Sequence, residues 1–105
     1  MNNKTQKSLE RAGWTVGSAA DFLELSPEEA RFIEMKLALA GGLREVRERN
    51  GLTQTEVAAR LGSSQSRVAK MEAADRSVSM DLLLKSLLRI GAGPAEISKW
   101  IRRAA

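Results

Sequence analysis

The chain of 105 residues contains neither cysteine nor histidine, and only 4% of it is aromatic. Without cysteine there is no disulfide framework, no thiolate zinc site and no thiol nucleophile; without histidine there is no imidazole base, no catalytic triad and no HExxH metal motif. Hydrolytic chemistry loses its usual groups, no residue set supports an enzyme, and no cofactor is expected. Long apolar runs are also missing. The longest, residues 37–43, falls far short of the roughly 18 to 20 residues that a membrane span needs. The opening stretch, Met1 to Ser8, lacks the apolar centre of a signal peptide, so a cytoplasmic protein is expected. With so few aromatics the interior must be built from Leu, Val, Ile, Met and Ala, which favours packed helices, and the expected fold class is all-α.

What is present is basic: 17 Lys plus Arg against 13 Asp plus Glu, a net charge of +4 and a pI near 10.0. The charge is uneven, since residues 1–29 hold three basic and five acidic groups, leaving the positive excess to the rest of the chain. Residues 1–25 carry Trp14, Val16, Phe22 and Leu23 without a clear period. They read as an N-terminal arm, disordered at first and then docking through its aromatics, ahead of a domain over 26–105.

Five helices are legible in that domain. Ser26-Pro27-Glu28-Glu29 supplies a capping hydroxyl, a first-turn proline and two carboxylates at the positive end of the helix dipole. The first helix then runs to Asn50-Gly51, with Gly41-Gly42 inside it marking a bend or the close approach of another element. Thr53 and Glu56 form a capping box, so a second helix starts at Gln54 and stops at Gly62. Ser64 opens a third over Gln65 to about Glu72, Ser79 a fourth ended by Gly91 and Gly93, and Pro94 a fifth containing Ile97, Trp100 and Ile101.

Two short helices joined by a glycine turn make a helix-turn-helix unit, whose second helix enters the DNA major groove. Its geometry asks for a small residue in the first helix, a left-handed turn residue and apolar anchors in the second; Ala58, Gly62, Val68 and Met71 meet those demands in register. The stretch from Leu52-Thr53-Gln54-Thr55-Glu56-Val57-Ala58-Ala59-Arg60-Leu61-Gly62 through Ser64-Gln65-Ser66-Arg67-Val68-Ala69-Lys70-Met71-Glu72 resembles the phage repressor/Cro-like (XRE) family over about residues 39–91. Around Asp21-Phe22-Leu23 and Lys36-Leu37-Ala38-Leu39 the chain is similar to the HigA-type antitoxin branch. The resemblance implies a five-helix, lambda-repressor-like bundle that binds operator DNA as a homodimer, represses transcription, often of its own operon, and in some members binds a protein toxin. The family usually follows its recognition helix with Glu-Asn-Gly, where this chain has Glu72-Ala73-Ala74-Asp75. That departure questions backbone phosphate contacts at the loop and leaves Arg76 as the contact there.

At about 100° per residue, Val68 and Met71 define the buried side of the third helix, and Ser66, Ala69 and Lys70 point away from it. Gln65 suits bidentate pairing with adenine, Lys70 donation to guanine, and Ala69 contact with a thymine methyl; Arg67 reaches base or phosphate. In the resembled family the residue at Gln54 holds a phosphate, as a helix N-terminus favours. The expected DNA-binding set is Gln54, Ser64, Gln65, Ser66, Arg67, Ala69, Lys70 and Arg76.

Each feature also has a plainer reading. A polar helix face is ordinarily just solvated, but here it lies where the motif presents its reading surface. Thr53 and Glu56 position rather than read. Arg44, Arg47, Arg49 and Arg60 lie among Glu45, Glu48 and Glu56, so ion pairing and phosphate contact are both open. Trp100 and Ile101 either close the core or form a dimer seam, whereas Gly91-Ala92-Gly93 follows a helix and reads as a cap, not half a dinucleotide fingerprint. Two function classes stand: a DNA-binding repressor, and an antitoxin whose arm covers a toxin.

Overall fold

The computed structural model describes residues 25–104. Within them the chain forms five helices and no strand: α1 (Pro27–Arg49), α2 (Gln54–Leu61), α3 (Gln65–Glu72), α4 (Met80–Arg89) and α5 (Pro94–Arg103). The all-α expectation holds, and the helices lie where the local signals put them. The arm expected over 1–25 lies, except for Leu25, outside the described residues.

Every start has a local cause. The Ser26 hydroxyl accepts the Glu29 N–H at 3.2 Å, the Ser64 hydroxyl that of Arg67 at 3.2 Å, and the Ser79 hydroxyl that of Leu82 at 3.0 Å. At α2 the capping box is complete: the Thr53 hydroxyl accepts the Glu56 N–H at 3.1 Å, and the Glu56 carboxylate accepts the Thr53 N–H at 3.0 Å. Those bonds favour the charged form and hold the Glu56 carboxyl below its ordinary value of 4.5. Helix α5 has only Gly93 and Pro94 at its start, with no side-chain cap.

The ends share one device. At α1, α2, α3 and α4 an N–H reaches back across the last turn to bond the carbonyl five residues earlier: Leu52 to Arg47, Ser63 to Ala58, Asp75 to Lys70, and Ala92 to Leu87. This is the Schellman closure, and it requires a left-handed residue just past the helix. Gly51, Gly62 and Gly91 fill that place in three cases, and Ala74, at φ 54°, fills it in the fourth.

Helix α1 is the spine, packing on α3, α4 and α5, while α2 packs on α3. Leu39, Leu43 and Val46 meet Val57 and Ala58, Val68 and Met71, Leu83 and Leu87, and Ile97 and Trp100 in one core. Fully burying each large aliphatic side chain contributes about 1.5–3 kcal/mol. The glycine pair resolves as a close approach: α1 continues unbroken through it, and the Trp100 ring lies against Gly42. The Trp100 indole N–H donates to Glu45 at 2.8 Å, and Arg49 pairs with Glu96 at 2.6 Å, fixing α5 along α1. Trp100 thus belongs to the core, and Ile101 packs partly buried against it. Among the described residues no helix is long and apolar enough to cross a membrane.

Candidate nucleic-acid interface

The surface of interest is built on α2 and α3. Val57 and Ala58 from α2 meet Val68 and Met71 from α3, all buried, so the two short helices are locked by their inner faces. Gly62, at φ 64°, makes the turn between them, and Ser63 follows with its N–H closed on Ala58 at 2.8 Å. Gln65, Ser66, Arg67 and Lys70 are exposed, and Ala69 is half-buried beside them. This outer face carries two cations and no free carboxylate, because the one acid of α3, Glu72, turns inward.

Glu72 is the centre of a polar chain that runs back to the N-terminal end of α3. Its side chain is only 4% exposed, and Arg47 grips it with two donors, Nε at 2.6 Å and Nη2 at 3.0 Å. That forked bond raises the Arg47 guanidinium above its already high range. The third Arg47 donor, Nη1, bonds the Leu52 carbonyl at 3.0 Å, tying the α1–α2 loop to the same point. Gln54 then donates its amide to Glu72 at 3.2 Å and accepts from the Gln65 amide at 2.7 Å. The result is a continuous series, Arg47 to Glu72 to Gln54 to Gln65, from inside the bundle to the first residue of α3.

Each residue expected from sequence can now be placed. Gln65, Ser66, Arg67, Ala69 and Lys70 share the outer face of α3. The Ser64 hydroxyl is engaged by the cap and lies 3.3 Å from the Ser66 hydroxyl. Gln54 sits at the start of α2, but both ends of its amide are used within the protein, so its side chain orients Gln65; its backbone N–H, at the first position of the helix, has no acceptor within the helix. Arg76 is exposed on the α3–α4 loop. The loop itself keeps the left-handed turn, with Ala74 in it, so exchanging Glu-Asn-Gly for Glu72-Ala73-Ala74 changes the residue and not the closure.

Sequence reasoning left Arg47 open between ion pairing and phosphate contact; the structure pairs it, and the partner, Glu72, was missed. A signal existed: Glu72 stands four residues after Val68, on the inward face of α3, and an inward carboxylate demands a partner. Of the other arginines, Arg49 pairs with Glu96 and Arg44 lies 3.5 Å from Glu48 and 3.8 Å from Glu72.

In comparison with known proteins, the model of a helix-turn-helix family fits residues 43–86, which span the last two turns of α1 through most of α4. No curated protein and no solved structure matches the chain.

Proposed function

Because residues 43–86 carry the DNA-binding helix-turn-helix of the phage repressor/Cro-like (XRE) family, we propose that the chain is a sequence-specific transcription regulator acting as a dimeric repressor. The observation that carries this reading is the series from Arg47 to Gln65. It spends three polar side chains, two of them charged and largely buried, on holding one exposed amide at the start of α3. An amide so held still has one N–H and its carbonyl oxygen for the edge of an adenine, beside Ser66, Arg67, Ala69 and Lys70. The N–H groups at the start of α2 and Arg76 serve as phosphate contacts on either side. Net charge is only +4, so affinity comes from placed contacts and two-fold pairing rather than bulk attraction. One recognition helix reads only a few base pairs, so a dimer on two half-sites is required.

The test is selection of duplexes from a random-sequence pool, followed by footprinting and ultracentrifugation. The expected result is a protected site with two half-sites about one helical turn apart, bound by a dimer with affinity falling steeply in salt. A monomer on a single unrepeated half-site overturns the dimer, and failure to enrich any sequence overturns specific DNA binding.

A second reading, an antitoxin that binds a protein toxin, is supported by Phe32. It lies on the same stripe of α1 as Lys36, Leu39 and Leu43, yet it is 50% exposed. Deleting residues 1–25 tests it: toxin neutralisation is lost while duplex binding and melting temperature stay unchanged. A large fall in melting temperature instead assigns the arm to the core.

A further inference from the structure

Lys36 is an unusual resident of the α1 core stripe. It is 6% exposed, flanked by buried Ile33, Leu39 and Ala40, and its ammonium donates to the backbone carbonyl of Asp75 at 2.9 Å. Burial lowers its pKa, against the opposing pull of the Asp75 carboxylate. A lysine that satisfies only a loop carbonyl is a costly way to hold a helix in place, so the loop is where its purpose lies.

That loop is a tight turn. The Asp75 carbonyl also accepts the Val78 N–H at 3.0 Å, closing residues 75–78, and the Asp75 carboxylate accepts the Ser77 N–H at 2.9 Å and the Ser77 hydroxyl at 2.7 Å. Val78 is buried and pins the far end, while the Asp75 N–H closes α3 on Lys70. Arg76 occupies the first corner of this turn, exposed, directly after the helix proposed to read DNA. The Lys36 ammonium adds a hydrogen bond from α1 to this turn, across 39 residues of sequence, beside the packing of Val78 in the common core.

We infer that Lys36 is a positioning residue for DNA binding: by clamping the Asp75 carbonyl it fixes the turn that aims Arg76 at the phosphate backbone beside α3. This rests on the DNA-binding reading above.

The test is a double-substitution cycle with Lys36→Met and Arg76→Ala, measured on duplexes selected from a random-sequence pool by the wild-type protein. Each single substitution is expected to weaken binding about tenfold and to reduce the salt slope by about one contact. The double variant is expected to bind no worse than Arg76→Ala alone. Independent, multiplying effects, or an unchanged Lys36→Met, overturn the inference while leaving the DNA-binding reading intact; a wild-type protein that binds no duplex overturns both. Should Lys36→Met lose its cooperative melt, Ser77→Ala loosens the same turn from its exposed side. It is expected to weaken binding and, with Arg76→Ala, to show the same lack of additivity; full additivity there overturns the inference.

Discussion

The Trp100 ring stands where a side chain on residue 42 would be: a Cβ at Gly42 would lie 2.5 Å from ring atoms Cδ2 and Cε3. The indole is buried and bonded to Glu45, so it has no room to yield. Gly42→Ala is therefore expected to cost about 2 kcal/mol in urea unfolding, the overpacking outweighing alanine's helix preference. Gly41, one residue earlier, meets nothing within 4 Å, and Gly41→Ala should add about 0.5–1 kcal/mol of stability. Equal effects at both sites would refute the close-approach account.

Removing the partner of a buried charge costs more than the pair contributes. Glu72→Ala leaves the largely buried Arg47 guanidinium with only the Leu52 carbonyl and the exposed Glu48 carboxylate, 3.9 Å away, and is expected to lower stability by about 3 kcal/mol, with loss of duplex discrimination as Gln54 and Gln65 lose their anchor. Chemical denaturation and competition binding measure the two losses separately.

On α3 the inner and outer faces should separate cleanly. Lys70→Ala and Gln65→Ala are expected to leave stability within about 0.5 kcal/mol while lowering discrimination by about 1–3 kcal/mol at one base position. Val68, fully buried, should show the reverse: Val68→Ala costs about 2 kcal/mol of stability. A uniform weakening over all sequences by Lys70→Ala would make Lys70 a phosphate contact only.

Acid should unfold the protein through its bonded carboxylates. Ser77 hydrogen bonds hold Asp75 below its ordinary 3.8, the Thr53 bonds hold Glu56 below 4.5, and the Arg49 bond holds Glu96 below 4.5. A carboxyl with a lowered folded pKa contributes stability that is fully present above its unfolded value and is lost as pH falls through the folded one. With no histidine, melting temperature should be flat from about pH 5.5 to 8 and drop below about pH 4.5. Glu56→Gln keeps a capping partner but no proton to bind, so its acid slope should be shallower.

The turn glycines differ in what surrounds them. Gly62 has φ 64° and open space around its Cα, so Gly62→Ala should cost about 1 kcal/mol through backbone strain alone. Next to it, the Ser63 hydroxyl is buried without a hydrogen-bond partner; Ser63→Ala should therefore be neutral or stabilising by about 1 kcal/mol in thermal melts.

The helix ends were legible because their causes are local. Ser26, Thr53 with Glu56, Ser64, Ser79 and Pro94 each announce a start within four residues, and Gly51, Gly62 and Gly91 each announce an end. The inward and outward faces of α3 followed from Val68 and Met71. What did not show was anything joining distant stretches: Trp100 to Gly42, Arg47 to Glu72, Lys36 to Asp75. None has a periodicity, since each depends on how α1 crosses a later helix. Gln54 illustrates the limit, because its position at a helix start was readable and the use of its amide as a bridge between two other side chains was not.

The bridge has a thermodynamic consequence. A free glutamine at the start of a helix samples several rotamers, and freezing such a side chain on contact costs about 0.5–1.5 kcal/mol. Gln65 is already restrained by Gln54, which is restrained by Glu72 and Arg47, so that entropy is lost when the chain folds and not when a ligand arrives. The stability of the bundle and the sharpness of its recognition are in this way drawn from one store, and a substitution that loosens the first should blunt the second.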